Sequence, residues 1–146
     1  MKMYCITINN NHYDKIINLN YIPVGLGDKI TSNKFLKDNT EINISQKNSY
    51  YGEYTFHYWL WKNKIINNDK NWIGFCQYRK FFLKKSAATT YKNLNQLNDN
   101  VLKAIPENFQ NYESILGEPL FINQFRLSKF LKNNLFTMIK KPILFF

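Results

Sequence analysis

Arginine is almost missing from this 146-residue chain, which has only Arg79 and Arg126 although lysine is abundant. Cysteine is as scarce. Cys5 and Cys76 lie in apolar, strand-like runs without C-x-x-C spacing, and no secretory signal precedes them. A disulfide framework is therefore excluded, and the expected setting is the reduced cytoplasm. Histidine occurs twice, as His12 and His57, far apart and in no ligand-spaced cluster. The acids form no D-x-D pair, so a metal site would have to join isolated carboxylates, for example Asp14 with Asp38. No G-x-x-x-x-G-K-[ST] occurs, which removes the P-loop class. Gly25 and Gly27 in "VGLGDK" lack the third glycine and following helix of a dinucleotide fingerprint and read as a turn. No Ser or Cys occupies a recognisable nucleophile setting. No run of about 18 apolar residues is present, which excludes a conventional membrane-spanning helix.

What the chain does contain is charge and rings. The net charge is +10, a value that invites nucleic acid or anionic lipid. The positive residues are spread thinly, however, and the bias toward Lys, Asn, Ile, Tyr and Phe is what an AT-rich genome produces. No basic stripe forms, so nucleic acid is not an expected partner. Hydrophobic residues make up 45% and aromatic residues 17%, ample for one packed domain that buries roughly two thirds of its unfolded surface.

"MYCITIN" (3–9) and "WIGFCQY" (72–78) read as buried strands, and "YIPVGLG" (21–27) as an extended segment. "NNNHYDK" (9–15) reads as a loop, and 28–46 as polar and irregular with turns at Asn39 and Asn43. Asn48 or Ser49 is placed to cap a helix running to about Asn63, with Lys62 and Lys64 at its negative end. "NNDKN" (67–71) predicts a turn. A polar helix is expected over 91–105, ended by Pro106, and a basic apolar helix over 124–139. Strand, long connection, helix, strand is the order of a βαβ unit, whose ligands bind beyond the carboxyl ends of parallel strands. The segments 9–14 and 77–82 are accordingly candidate ligand loops.

The stretch "YYGEYTFHYWLWKN" (50–63) holds seven aromatic side chains in fourteen positions, with Glu53 among them. At helical spacing Tyr51, Tyr54, Tyr58 and Trp61 share one face, while Phe56, Trp59 and Leu60 cover much of another. Apolar nearly all round, such a helix is expected to be buried between layers. Glu53 would then accept hydrogen bonds from buried Tyr hydroxyls and Trp ring N–H groups. The alternative is that rings and carboxylate line a sugar pocket, since pyranoses offer apolar C–H faces and hydroxyl edges. In "CQYRKFF" (76–82), Arg79 and Lys80 leave a strand end where an anion meets a planar guanidinium fork and a point charge; a solvated basic edge is the plainer reading.

Together, "YIPVGLG", "DNTEINISQKNSYYGEYTFHYWLWKN" and "WIGFCQYRKFF" resemble the bacterial family called domain of unknown function 4422. The middle block matches its pattern at Asn43, Ile44, Ser45, Lys47, Asn48, Tyr51, Glu53, Thr55, Tyr58, Trp59, Trp61, Lys62 and Asn63. The last block matches at Ile73, Gly74, Tyr78, Arg79 and Phe82. Departures are Gln77 where the family usually has His, Glu41 and Ile42 before "NIS", and Tyr54 in place of Leu.

The resemblance covers 3–83 well and 84–146 loosely. It implies a glycosyltransferase-like protein of surface-polysaccharide assembly, cytoplasmic or on the inner face of the cell membrane. The fold implied is a three-layer α/β domain over 1–146 with a mostly parallel, GT-A-like (Rossmann-like) nucleotide-sugar-binding sheet. The partners would be a nucleotide-sugar donor and a saccharide or lipid-linked acceptor. Lys47, Asn48 and Arg79 are then candidates for the diphosphate, with Lys80 in support. Asn10, Asn11 and Asp14 are candidates for base and ribose. Gln77 and Tyr78 stand at the strand end, and Tyr58 and Trp61 are candidates for ordering the sugar. Glu53 is the one candidate catalytic group, and for it, as for Tyr58 and Trp61, support of the site is the plainer role. The resemblance leaves Mn²⁺ or Mg²⁺ open.

Members of that family run longer, and the chain ends on apolar "KKPILFF". This motivates the expectation of an incomplete domain with little turnover alone, its terminal segment packing on a partner, membrane or second copy. A reading from another class is a non-catalytic basic module for anionic membrane or polyanion, resting on "FRLSKFLKNNLFTMIKK" (125–141).

Overall fold

The structure is a computed structural model that describes residues 1–27, 30–66, 71–84 and 97–117. It divides into two compact units, Met1–Glu113 and Ser114–Phe146. The described residues of the second, 114–117, carry no helix or strand. The turn predicted at "NNDKN" falls almost wholly outside the described residues, as do the first part of the 91–105 helix, the 124–139 helix and the terminal apolar run.

In the first unit three parallel strands, β1 (Lys2–Thr7), β2 (Ile22–Gly25) and β3 (Ile73–Gln77), pair in the order β2-β1-β3. The register sets Cys5 against both Pro23 and Cys76. Pro23 is tolerated because its carbonyl accepts from the Leu36 N–H at 3.0 Å. The N–H that proline lacks would have faced that outer side, not β1.

Successive side chains of β1 point to opposite faces. Met3 and Cys5 pack with Ile16 and Leu19 of the first helix and with Leu97 and Val101. Tyr4 and Ile6 pack with Val24, Phe56, Trp59 and Leu60. Helices thus lie on both faces of the sheet, the α/β arrangement expected. Burial of each large apolar side chain contributes about 1.5–3 kcal/mol relative to exposure. β3 is less covered than a doubly buried strand: only Cys76 is fully buried and its other residues are half-buried.

Four sequence expectations are corrected. "NNNHYDK" is not a loop: Asn10–His12 form a 3-10 turn that runs into α1 (Tyr13–Asn18). The Asn9 side chain caps it by accepting from the Asn11 N–H, and the burial of Ile16 and Leu19 holds it down. The predicted 49–63 helix is two pieces, α2 (Asn48–Tyr51) and α3 (Tyr54–Lys62). They meet at Gly52, whose φ of 54° and ψ of −129° suit glycine alone. Asn48 does not cap the helix start. Its amide reaches forward to the Gly52 carbonyl at 2.9 Å and to Thr55 Oγ1 at 3.2 Å, fastening the break.

The third correction concerns burial. α3 covers the sheet with Thr55, Phe56, Trp59 and Leu60, while Tyr51, Tyr54 and Trp61 stand in solvent, with Tyr54 69% and Trp61 68% exposed. Finally, residues 97–105 are not α-helical. Val101 bridges Leu83, and the Leu102 carbonyl accepts from the Tyr21 hydroxyl at 2.7 Å.

Candidate functional site

In a parallel sheet of order β2-β1-β3, ligand-binding loops are expected at the carboxyl ends of the strands. The segments that follow β1 and β3 meet there. From β1, Thr7 is buried, its Oγ1 accepting from the Asn9 N–H at 3.1 Å and bonding His12 Nδ1 at 2.8 Å. The His12 ring stacks on the ring of Tyr78, which follows β3, with centroids 4.4 Å apart. The carboxyl ends of β1 and β3 are thus bridged by two rings. Burial holds the His12 imidazole below its ordinary value, and the ammonium of Lys15 lowers it further.

Beside this pair the Gln77 amide donates to Glu53 Oε2 at 2.6 Å. Glu53 therefore does not serve the Tyr and Trp polar groups: the buried Trp59 ring N–H donates to the Thr40 carbonyl at 2.9 Å. His57, one turn along, sets its ring edge-on to Phe75 at 4.4 Å. Its pKa is lowered by burial, against the opposing pull of the Glu53 carboxylate. Beyond β2, Gly27 adopts φ 74°, and a Cβ there would come within 3.2 Å of Asn48 Oδ1. Glycine permits that close approach.

The carboxyl edge therefore collects Asn48, Glu53, Gln77 and Tyr78 from the sequence candidates. Arg79 follows, exposed, its guanidinium carbon 5.9 Å from the Tyr78 ring centroid. The backbone N–H of Lys80 closes the turn onto the Gln77 carbonyl, leaving the side chain exposed. Lys47 is exposed at the end of the 3-10 turn Ser45–Lys47. Asn10 is engaged in structure: its Oδ1 accepts from the Ser32 N–H and its amide reaches Thr31, both at 3.3 Å. Asn11 and Asp14 are exposed at the start of α1. Tyr58 and Trp61 stand apart on α3, their rings edge to face with centroids 5.9 Å apart.

Sequence reading passed over Thr7 and gave His12, His57 and Asp38 no role beyond weak metal ligands. The signal for His12 was its place just after β1, in a segment already marked as a ligand loop. Asp38 is 4% exposed, and its Oδ2 has no hydrogen-bond partner among the described residues. Among those residues no group of three His, Cys, Asp or Glu is disposed to hold a metal, and no helix is long and apolar enough to cross a membrane.

Parallel strands with helices on both faces define an α/β protein, whose candidate site is the polar cluster at the carboxyl edge. Within that class the chain belongs to the family described as Domain of unknown function (DUF4422), whose model matches residues 2–140. The match extends well past Phe82, where the quoted motifs end. No curated protein and no solved structure gives a significant match to the chain.

Proposed function

We propose that the protein is a glycosyltransferase that moves a sugar from a nucleotide-sugar donor to a saccharide or lipid-linked acceptor in surface-polysaccharide assembly. The fold in this reading is the nucleotide-sugar-binding sheet of a GT-A-like enzyme. The observation that carries it is the convergence of Asn48, Glu53, Gln77 and Tyr78 at the carboxyl edge of the sheet, with Arg79 next in sequence. Arg79, free to swing from an exposed turn, supplies a planar fork for a diphosphate, with Lys47, Asn48 and Lys80 in support. Neutralising that leaving group is the main catalytic demand of such a transfer. The stacked rings of His12 and Tyr78 offer a nucleobase a flat neighbour. Glu53, held by Gln77, orders the polar edge of the donor sugar.

The test is a thermal-shift screen against UDP-, GDP-, CMP- and dTDP-sugars, with and without Mn²⁺. A ligand at about a hundred times its Kd adds about 2.7 kcal/mol to the folded state, enough to raise Tm by several degrees. One nucleotide class is expected to give that shift, and Arg79→Ala to remove it. No shift with any of the four would overturn the reading.

A further inference from the structure

α3 carries a second feature that the carboxyl-edge cluster does not use. Tyr54, Tyr58 and Trp61 recur at i, i+4 and i+7 on the face turned away from the sheet, with Tyr54 and Trp61 about two thirds exposed. The helical rise separates them by about 6 Å and about 4.5 Å along the axis, roughly one pyranose ring each. Lys62 lays its ammonium 4.1 Å from the Trp61 ring centroid and 5.8 Å from that of Tyr58. It is the only charged residue between Tyr54 and Lys62, a segment without a carboxylate. At its amino end the face begins beside Glu53, which Gln77 ties to the carboxyl end of β3.

We infer that Tyr54, Tyr58, Trp61 and Lys62 form a binding face for an acidic oligosaccharide whose end is led toward Glu53. Each ring offers an apolar plane for the C–H face of a sugar and a hydrogen-bonding tip for its hydroxyl edge. Lys62 supplies the cation that a uronate carboxylate meets, already placed over the rings. A face made to enter lipid would show Leu, Ile or Phe; on α3 the Phe and Leu are turned to the sheet. The role of acceptor face rests on the proposed transfer reaction. The binding itself does not.

Tryptophan fluorescence of the full chain is titrated with hexagalacturonate and with maltohexaose, a neutral control. The acidic hexamer should bind. Trp61→Ala and Tyr58→Ala should each weaken it at least about fivefold, with Trp61→Phe retaining most of the affinity. Lys62→Gln should abolish the preference for the acidic over the neutral hexamer. Unchanged melting midpoints in these exposed-site variants would show that the fold is intact.

Absence of hexagalacturonate binding, or binding indifferent to Trp61→Ala, overturns the inference. So does Trp61-dependent binding to phosphatidylserine vesicles without oligosaccharide binding, or a dimer that Trp61→Ala dissolves. Nucleotide-sugar shifts are measured in parallel on the unaltered chain. A shift without oligosaccharide binding sinks this face alone, and binding without a shift sinks the transfer reaction alone.

Discussion

The side chains of Gln77 and Glu53 meet at 2.6 Å although 24 positions separate them, joining the end of β3 to the start of α3. Both are half-buried, so the bond stands partly out of water's competition. Gln77→Ala should leave the carboxylate without its amide donor and lower stability by about 1–3 kcal/mol. Urea unfolding of this variant beside Gln77→Asn measures the effect. Equal stability of Gln77→Ala and the unaltered chain would mean that the bond contributes nothing.

Gly52 has open space where a Cβ would stand, so a methyl group there meets no neighbour. The obstacle is the backbone, at φ 54° and ψ −129°. Gly52→Ala should therefore destabilise by about 1–3 kcal/mol without any steric clash. A melting temperature unchanged by the substitution would indicate that α2 and α3 can join into one continuous helix.

Arg79 is exposed, and its ring contact with Tyr78 is a loose one. Arg79→Lys should weaken nucleotide-sugar binding by about 1–3 kcal/mol, because an ammonium cannot reproduce the planar two-point fork. Stability should barely change. The reverse pattern, unchanged affinity with a lowered melting temperature, would make Arg79 a structural residue.

Burial lowers both histidines, helped at His12 by Lys15 and opposed at His57 by Glu53. With the folded pKa below the unfolded value of 6.5, the unfolded chain binds more protons between the two. The stability they allow is complete above 6.5 and falls as the pH drops through the folded values. Melting temperature should decline from pH 7 to pH 5, and a His12→Asn, His57→Gln double variant should flatten that decline. An identical slope in the double variant would assign the acid sensitivity to carboxylates instead.

Much of the fold was legible because strands announce themselves by continuous apolar runs. β3 falls within its predicted limits, β1 starts one residue before them, and the long connection between the two allowed the parallel pairing observed. The helical spacing of the aromatic stretch also fixed which rings share a face. It could not say which face the sheet would cover, since Tyr, Trp and Phe satisfy the same periodicity. Burial went to Phe56, Trp59 and Leu60 because only they meet Tyr4, Ile6 and Val24.

The site divides the same way. Arg79 and Gln77 were marked by residue type and by place near a strand end, which sequence order carries, and Asn48 by the family resemblance. The stacking of His12 on Tyr78 and the Asn48 bonds at Gly52 were not, because each depends on side chains meeting after the strands align. Sequence alone determined the parallel α/β framework, through local apolar pattern and the length of the connections. Tertiary structure alone decided that the helix breaks at Gly52 into α2 and α3, and that α3 shows its Tyr–Trp face to solvent. A helix's covered side is set by the apolar surface it finds, and that surface exists only once β1 and β2 are paired.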